Sequence, residues 1–226
     1  MQEGGIAGRQ VLVFGAGGAL GSGVAAALTA GGALVTGADK VAPPASRRLE
    51  GVRYEAVDVL DDGAVGALFA AYQTPLWAVL NTIGGYAPHR PLAELDRAEL
   101  TAQLELNLVT AALITKHALR VLRSAGDGRL VHTASRAAVV TAGTGFAYSV
   151  SKAAVLHLVA MAADEVRGTA ITVNCVVPSI IDTPANRAAL PDANHEAWPK
   201  VEEIARTFLY LVQPESKLVN GAALPV

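Results

Sequence analysis

Short uninterrupted apolar runs alternate along this chain with longer stretches of helical pattern. Gln10–Phe14 (QVLVF) has no polar face, as expected of a strand covered on both sides. Ala19–Ala30 is alanine-rich and stops at Gly31-Gly32, which reads as a helix with its terminator. The same alternation predicts strands over Ala33–Ala38, Val52–Val57, Leu76–Leu80, Arg129–Thr133, Ala170–Val177 and Ala222–Val226. It predicts helices over Asp61–Tyr72, Asp96–Arg123, Ala147–Arg167 and Val201–Val212. Asp96, with Glu99 three residues on, has capping-box spacing and starts what reads as one long helix. Strand–helix repetition implies parallel strands joined by right-handed crossovers. The expected fold is therefore α/β: a single Rossmann-type doubly wound sheet of about seven strands with helices on both faces. Only Lys40–Gly51 and Ser179–Pro199 are long and irregular, so the 226 residues form one domain whose substrate loop or lid lies around 179–199.

Composition narrows the class. With one cysteine, Cys175, a disulfide framework is excluded, and the five histidines show no metal-ligand spacing. A net charge of -2 and a pI of about 6.2 argue against a nucleic-acid partner. From Gln10 to Ala38 there is no charge, a length that could span a bilayer. Gly15, Gly17, Gly18, Gly21, Gly23, Gly31, Gly32 and Gly37 interrupt it, and broken backbone hydrogen bonding is costly in lipid. It reads instead as strand, turn and helix in a packed core. Met1–Arg9 contains Glu3 and Arg9 and no apolar run, so no secretory leader is expected and the protein is expected to be cytoplasmic, with no membrane partner.

The chemistry sits where strands end. The first strand runs into Gly15-Ala16-Gly17-Gly18-Ala19-Leu20-Gly21 and then a helix, the context in which glycines let backbone amides and a helix dipole approach a pyrophosphate. The spacing is not G-x-G-x-x-G, and no Gly-Lys-Ser/Thr follows, which disfavours a nucleoside-triphosphate loop. Asp39 closes the second strand, 24 positions after Gly15, where an acid accepts from ribose hydroxyls and repels a 2′-phosphate. NAD(H) is thus preferred, with NADP(H) possible because Lys40 follows directly. Tyr148 and Lys152 share a helix face, and a cation beside a phenol lowers its pKa towards usefulness in proton transfer. Ser135 stands thirteen residues before Tyr148, and Asn107 lies inside the long helix.

Taken in order, Gly15–Gly21, Asn81-Thr82-Ile83-Gly84-Gly85, Asn107, Ser135, Tyr148-x-x-x-Lys152 and Pro178 through Thr183-Pro184 resemble the short-chain dehydrogenase/reductases over nearly the whole chain. The resemblance implies that Tyr148 is the acid–base and that Lys152 lowers its pKa and holds the nicotinamide ribose. It implies that Ser135 polarises the substrate carbonyl and that Asn107 anchors a proton-relay water. Asp58, with Val59 beside it, would meet adenine. Asn81, Ile83 and Gly84 would line the cofactor, and Pro178, Ile181 and Thr183 would hold its carboxamide or pyrophosphate. Ala19 and Ser179 stand where the family usually has glycine. Further details, among them Gly84-Gly85-Tyr86 and Asp182–Arg187, are similar to the dihydropteridine reductase branch, which acts on quinonoid dihydropterin but lacks the serine that is present here.

The reading is an oxidoreductase transferring hydride between nicotinamide and a small carbonyl or secondary alcohol. The alternatives are dihydropterin reduction and a non-catalytic dinucleotide-binding sensor, against which the intact Asn107, Ser135, Tyr148 and Lys152 argue. Tyr86, Phe146 and Trp198 are the candidate substrate-pocket residues, because loops rarely spend aromatics in a chain with 5% of them. His89 and His195 fall in loops near the expected pocket, His117 is expected on a helix surface or interface, and Cys175 reads as a buried inert thiol. By the same resemblance, the Asp96–Arg123 and Ala147–Arg167 helices would pair across a two-fold axis, giving a homodimer or homotetramer.

Overall fold

A computed structural model describes residues 5–86, 91–140 and 145–226; His89 lies outside them. Seven parallel strands form one sheet in the order β3-β2-β1-β4-β5-β6-β7. They are β1 (Gln10–Phe14), β2 (Leu34–Asp39), β3 (Val52–Ala56), β4 (Leu76–Asn81), β5 (Asp127–Thr133), β6 (Ala170–Val177) and β7 (Ala223–Pro225). The helices are α1 (Ala19–Ala30), α2 (Asp62–Ala70), α3 (Arg97–Gln103), α4 (Thr110–Ala125), α5 (Phe146–Glu165), α6 (Pro184–Ala189) and α7 (Val201–Leu211). The apolar runs behave as expected of doubly covered strands. Along β1, Leu12 and Phe14 face a core shared with α2, α4 and α5, whereas Val11 and Val13 face one shared with α1 and α7. Each such buried side chain contributes roughly 1.5–3 kcal/mol of transfer free energy, so these two layers hold the sheet.

Local signals set the helix ends. Gly31-Gly32 terminates α1, with Gly32 at φ 82°, a left-handed conformation natural to glycine. The Asp61 and Asp96 carboxylates cap α2 and α3, accepting from the Ala64 and Ala98 amides. Trp77 anchors the amino-terminal end of β4. Its indole N–H donates to the Val212 carbonyl at 2.7 Å, and its ring lies between the Arg9 and Arg129 guanidiniums, 3.6 and 4.5 Å from their carbons.

Two expectations are corrected, and an open one is decided. The Asp96–Arg123 stretch is not one α-helix, because a π-helical turn over Leu104–Val109 separates α3 from α4 and swings Asn107 inward. The loop over 179–199 is not irregular throughout; it contains α6, and Asp182 bridges in parallel to Lys200. For His117 the structure selects the interface over the surface: it is buried between α2 and α4, bonded to Asp62 at 2.8 Å and stacked on Phe69. Among the described residues α5 is long and apolar enough to cross a membrane by length and composition. Here it packs on β6 and carries the buried pair Ser151 and Lys152.

The sheet order places β1 between β2 and β4, so the chain crosses from one half of the sheet to the other at β1. The crevice beyond the carboxyl ends of β1 and β4 is where such folds bind ligands.

Candidate active site

The glycine loop lies at the mouth of this crevice. Gly15 turns at φ 81° and its amide bonds the Ala38 carbonyl on β2. A Cβ on Gly21 would overlap the Gly15 carbonyl and sit 2.6 Å from the Thr82 hydroxyl, so helix and loop touch backbone to backbone here. Gly18 caps α1 without any side-chain bond, leaving the helix N-terminus open towards an anion. Within this segment Ala19 begins α1, while Leu20 turns into the core. Asp39 accepts the Gly17 N–H at 2.6 Å, which ties the end of β2 to the loop. Beyond it, Lys40 and Asp58 pair at 2.7 Å on the surface, and the ammonium lowers the Asp58 carboxyl below its ordinary range. Val59 packs into the core, so only its backbone can face a ligand.

The segment after β4 forms the opposite wall. The Asn81 Oδ1 accepts the Ile83 N–H at 3.0 Å, and the Thr82 hydroxyl donates to the Phe14 carbonyl. Gly84 is open by necessity: a Cβ there would lie 2.6 Å from the Lys152 Nζ and 3.0 Å from the Asn107 Oδ1. Asn107 is 1% exposed and fully engaged. Its Oδ1 accepts from the Gly85 amide, and its Nδ2 reaches the Gln103 Oε1 and Ser151 Oγ at 3.0 Å. The π-turn is what brings Asn107 to that place, a use of π-turns common at functional sites.

Ser135, Tyr148 and Lys152 meet across β5 and α5. Ser135 ends the extended run after β5, and its hydroxyl is hydrogen-bonded to Tyr148. Burial pushes the Tyr148 phenol up, the Ser135 bond pulls it down, and the Tyr86 ring packs edge-on at 5.3 Å. One turn along α5, Lys152 is 3% exposed and donates to the Thr133 carbonyl at 3.0 Å; burial lowers its ammonium to about 8. Before any ligand enters, the lysine charge therefore does not offset the desolvation of the phenol. Beyond β6, Pro178 accepts the Arg136 amide, Thr183 caps α6 through the Asn186 amide, and Ile181 packs on the α1/α7 core.

The pocket candidates divide. Tyr86 and Phe146 are both exposed, Tyr86 edge-on to the Tyr148 ring, while Trp198 lies tilted against His195 at 4.6 Å and His195 bonds the Leu190 carbonyl. The sequence reading passed over Gln103, Thr133 and Ser151, although all three hold the site. Gln103 stands one helical turn before Asn107, and Ser151 adjoins Lys152, so spacing alone pointed to two of them. Thr133 acts towards Lys152 through its backbone carbonyl, which no residue type announces.

A glycine loop at a helix N-terminus, an acid closing β2 and the half-buried Ser135 and Tyr148 with the buried Lys152 define the class of a nicotinamide-dependent oxidoreductase. The comparisons agree with that class. The family model described as enoyl-(acyl carrier protein) reductase matches residues 15–226. A cis-4-hydroxycyclohexanecarboxylate dehydrogenase from Sinomonas cyclohexanicum is 34% identical over 96% of this chain and 94% of its own. A secoisolariciresinol dehydrogenase from Forsythia intermedia is 32% identical over 59% of this chain and 54% of its own. A short-chain type dehydrogenase/reductase from Mycobacterium ulcerans superposes with a TM-score of 0.89 at 26% identity, over 98% of this chain and 89% of that one. The chain belongs to the short-chain dehydrogenase/reductase family, oxidoreductases that interconvert CH–OH and C=O groups.

Proposed function

We propose that the protein is an NAD(H)-dependent oxidoreductase that interconverts a small, largely apolar secondary alcohol, preferably alicyclic, and its ketone. The observation that carries this reading is the Tyr148 phenol bonded to Ser135, with the buried Lys152 ammonium one turn along and Gly84 left open against it. The exposed Tyr86 ring, edge-on to Tyr148 at 5.3 Å, gives the approach to that phenol an apolar character. The alicyclic preference takes its support from the 34% identical hydroxycyclohexanecarboxylate dehydrogenase.

The residues present fit a dinucleotide. The open N-terminus of α1 suits the pyrophosphate, and Gly15 and Gly21 keep backbone where side chains would block it. Asp39 uses one oxygen on Gly17, leaving the other for ribose hydroxyls. Lys40, the cation that would answer a 2′-phosphate, is taken by Asp58, which supports NAD(H) over NADP(H). NADH, held there, would supply the hydride. Tyr148 gives its proton to the carbonyl oxygen, which Ser135 holds by a second hydrogen bond. Lys152 stabilises the phenolate left behind and meets the ribose. Asn107 fixes the wall of the pocket through Gly85.

The same reading takes the protein to be a cytoplasmic homodimer or homotetramer. Its support is the exposed apolar side chains of Leu106, Val109, Val150 and Met161 on the π-turn and α5, which sedimentation would test. The test of the activity is NADH oxidation against cyclic and acyclic ketones, with and without Tyr148→Phe. Turnover of cyclic ketones that disappears in the variant supports the proposal. Binding of NADH with no turnover on any carbonyl, unaltered by the substitution, refutes it.

A further inference from the structure

Beneath the site lies a buried histidine that the chemistry above does not use. His132, in β5, has no exposed surface and pairs across the sheet with Asn81 at the end of β4. Its Nδ1 lies 3.3 Å from the Asn81 Nδ2, and its Nε2 lies 2.9 Å from the Thr115 Oγ1 on α4.

The neighbours fix which atom gives and which receives. The Thr115 hydroxyl donates its proton to the Ala111 carbonyl at 2.7 Å, so towards His132 its oxygen accepts. The His132 Nε2 therefore carries the ring proton, and Nδ1 keeps its lone pair for the Asn81 Nδ2–H. The Asn81 amide is then oriented with Oδ1 outward, where it accepts the Ile83 N–H at 3.0 Å. Four bonds thus run in one direction, from Ile83 to Asn81, to His132, to Thr115, to Ala111. Next along β5, the Thr133 hydroxyl donates to the Asn81 carbonyl and the Thr133 carbonyl accepts from Lys152. Complete burial keeps the ring neutral, as the chain of bonds requires.

We propose that His132 is a positioning residue for the cofactor wall: by fixing the Asn81 amide it sets the Ile83–Gly84 backbone against Lys152 and Asn107. Gly84 sits so close to both side chains that no Cβ fits, and a small drift of this backbone would close or open the space the nicotinamide ribose needs. The proposal rests on the dinucleotide reading above, and its test separates the two.

The variants are His132→Leu and His132→Asn. Leucine offers Asn81 no acceptor. Asparagine offers its Oδ1 in place of Nδ1 and is too short to reach Thr115. Both lose the α4 contact, so both lose melting temperature alike. If His132 positions the wall, NADH affinity falls about tenfold or more in His132→Leu and returns to within a few-fold of the parent in His132→Asn, although stability does not return. In the ligand-free protein the Ile83 amide exchanges faster in His132→Leu and is protected again in His132→Asn. Affinity that simply follows melting temperature in both variants, or an Ile83 amide whose exchange ignores the substitution, overturns the proposal. Exchange that responds as expected in a protein that binds neither NADH nor NADPH overturns the dinucleotide reading instead, while upholding His132 as the residue that sets this wall.

Discussion

Lys152 is a charge placed where water is scarce, and the cost can be measured. Burial lowers its pKa from the ordinary 10.5 to about 8. An ammonium that loses protons more readily in the folded chain than in the unfolded one destabilises the fold. The unfolded chain binds more protons between pH 8 and 10.5, so stability rises with pH through that window and the full cost is present below pH 8. A difference of that size corresponds to about 3 kcal/mol at pH 7. Lys152→Met keeps a long, flexible apolar stem and removes the charge. It also leaves the Thr133 carbonyl without its side-chain donor, a loss of about 1 kcal/mol. Balancing the two, Lys152→Met should be more stable than the parent by about 2 kcal/mol at pH 7, a rise of about 4–8 °C in melting temperature. It should also be inactive. Urea unfolding of both proteins from pH 7 to 10.5 checks the argument. The gap must shrink across pH 8 to 10.5, as the parent's lysine sheds its proton in both states. A variant less stable than the parent at pH 7, or a gap indifferent to pH, would show that the site solvates the ammonium.

Other substitutions test neighbouring links. Tyr148→Phe keeps the ring and its contact with Tyr86 but lacks the proton; turnover should drop by about 10²–10⁴-fold while NADH affinity stays within a few-fold, read by steady-state kinetics and fluorescence titration. Asp39→Ala frees the Gly17 amide and the ribose together, and the ratio of NADH to NADPH affinity should fall by about tenfold. Gly21→Ala drives a Cβ into the Gly15 carbonyl, and NADH affinity should weaken by about tenfold or more without any loss of the Ser–Tyr–Lys group. Trp77→Ala removes the ring that two guanidiniums cover and orphans the Val212 carbonyl, at a cost of about 3–5 kcal/mol in chemical denaturation, leaving the Michaelis constant for NADH unchanged.

The apolar runs announced β1 and β4 because a strand covered on both faces carries few polar positions, β6 stood out despite its buried Thr172 and Asn174, and helix ends were announced by Asp61, Asp96 and Gly32. Ser135, Tyr148 and Lys152 stood out because proton transfer to a carbonyl needs those side chains, and the structure brings them into one place. The π-turn at Leu104–Val109 left no trace, since one extra residue per turn barely alters an apolar pattern averaged over the stretch from 96 to 123. For His117 the pattern left surface and interface open, because its partner, Asp62, lies 55 positions away and a sequence shows no such pairing. The chain from Ile83 to Ala111 was invisible for the same reason: it joins three elements, each contributing one unremarkable polar residue.

Around the site the polar burial is concentrated at one level of the fold, at the carboxyl ends of β4 and β5. Along β4 and β5 the residues Val79, Leu80, Leu130 and Val131 are apolar; at the carboxyl end polarity enters at Asn81, His132 and Thr133, and at the opposite end the buried Arg129 lies against Trp77. On α5 the order reverses: Ser151 and Lys152 come first, then Val155 and Val159, because the helix runs antiparallel to the strands it covers. Each of these polar side chains has its partners, so the layer is satisfied, yet it holds less favourable burial than the apolar layers beneath it. Replacing polar groups at this level with apolar ones should therefore raise stability and lower activity, as Lys152→Met does, wherever the partner left behind can be satisfied. Where it cannot, as with Asn81 in His132→Leu, stability and cofactor affinity should fall together. The sign of the stability change thus distinguishes a charge the site tolerates for its chemistry from a hydrogen bond the fold itself depends on.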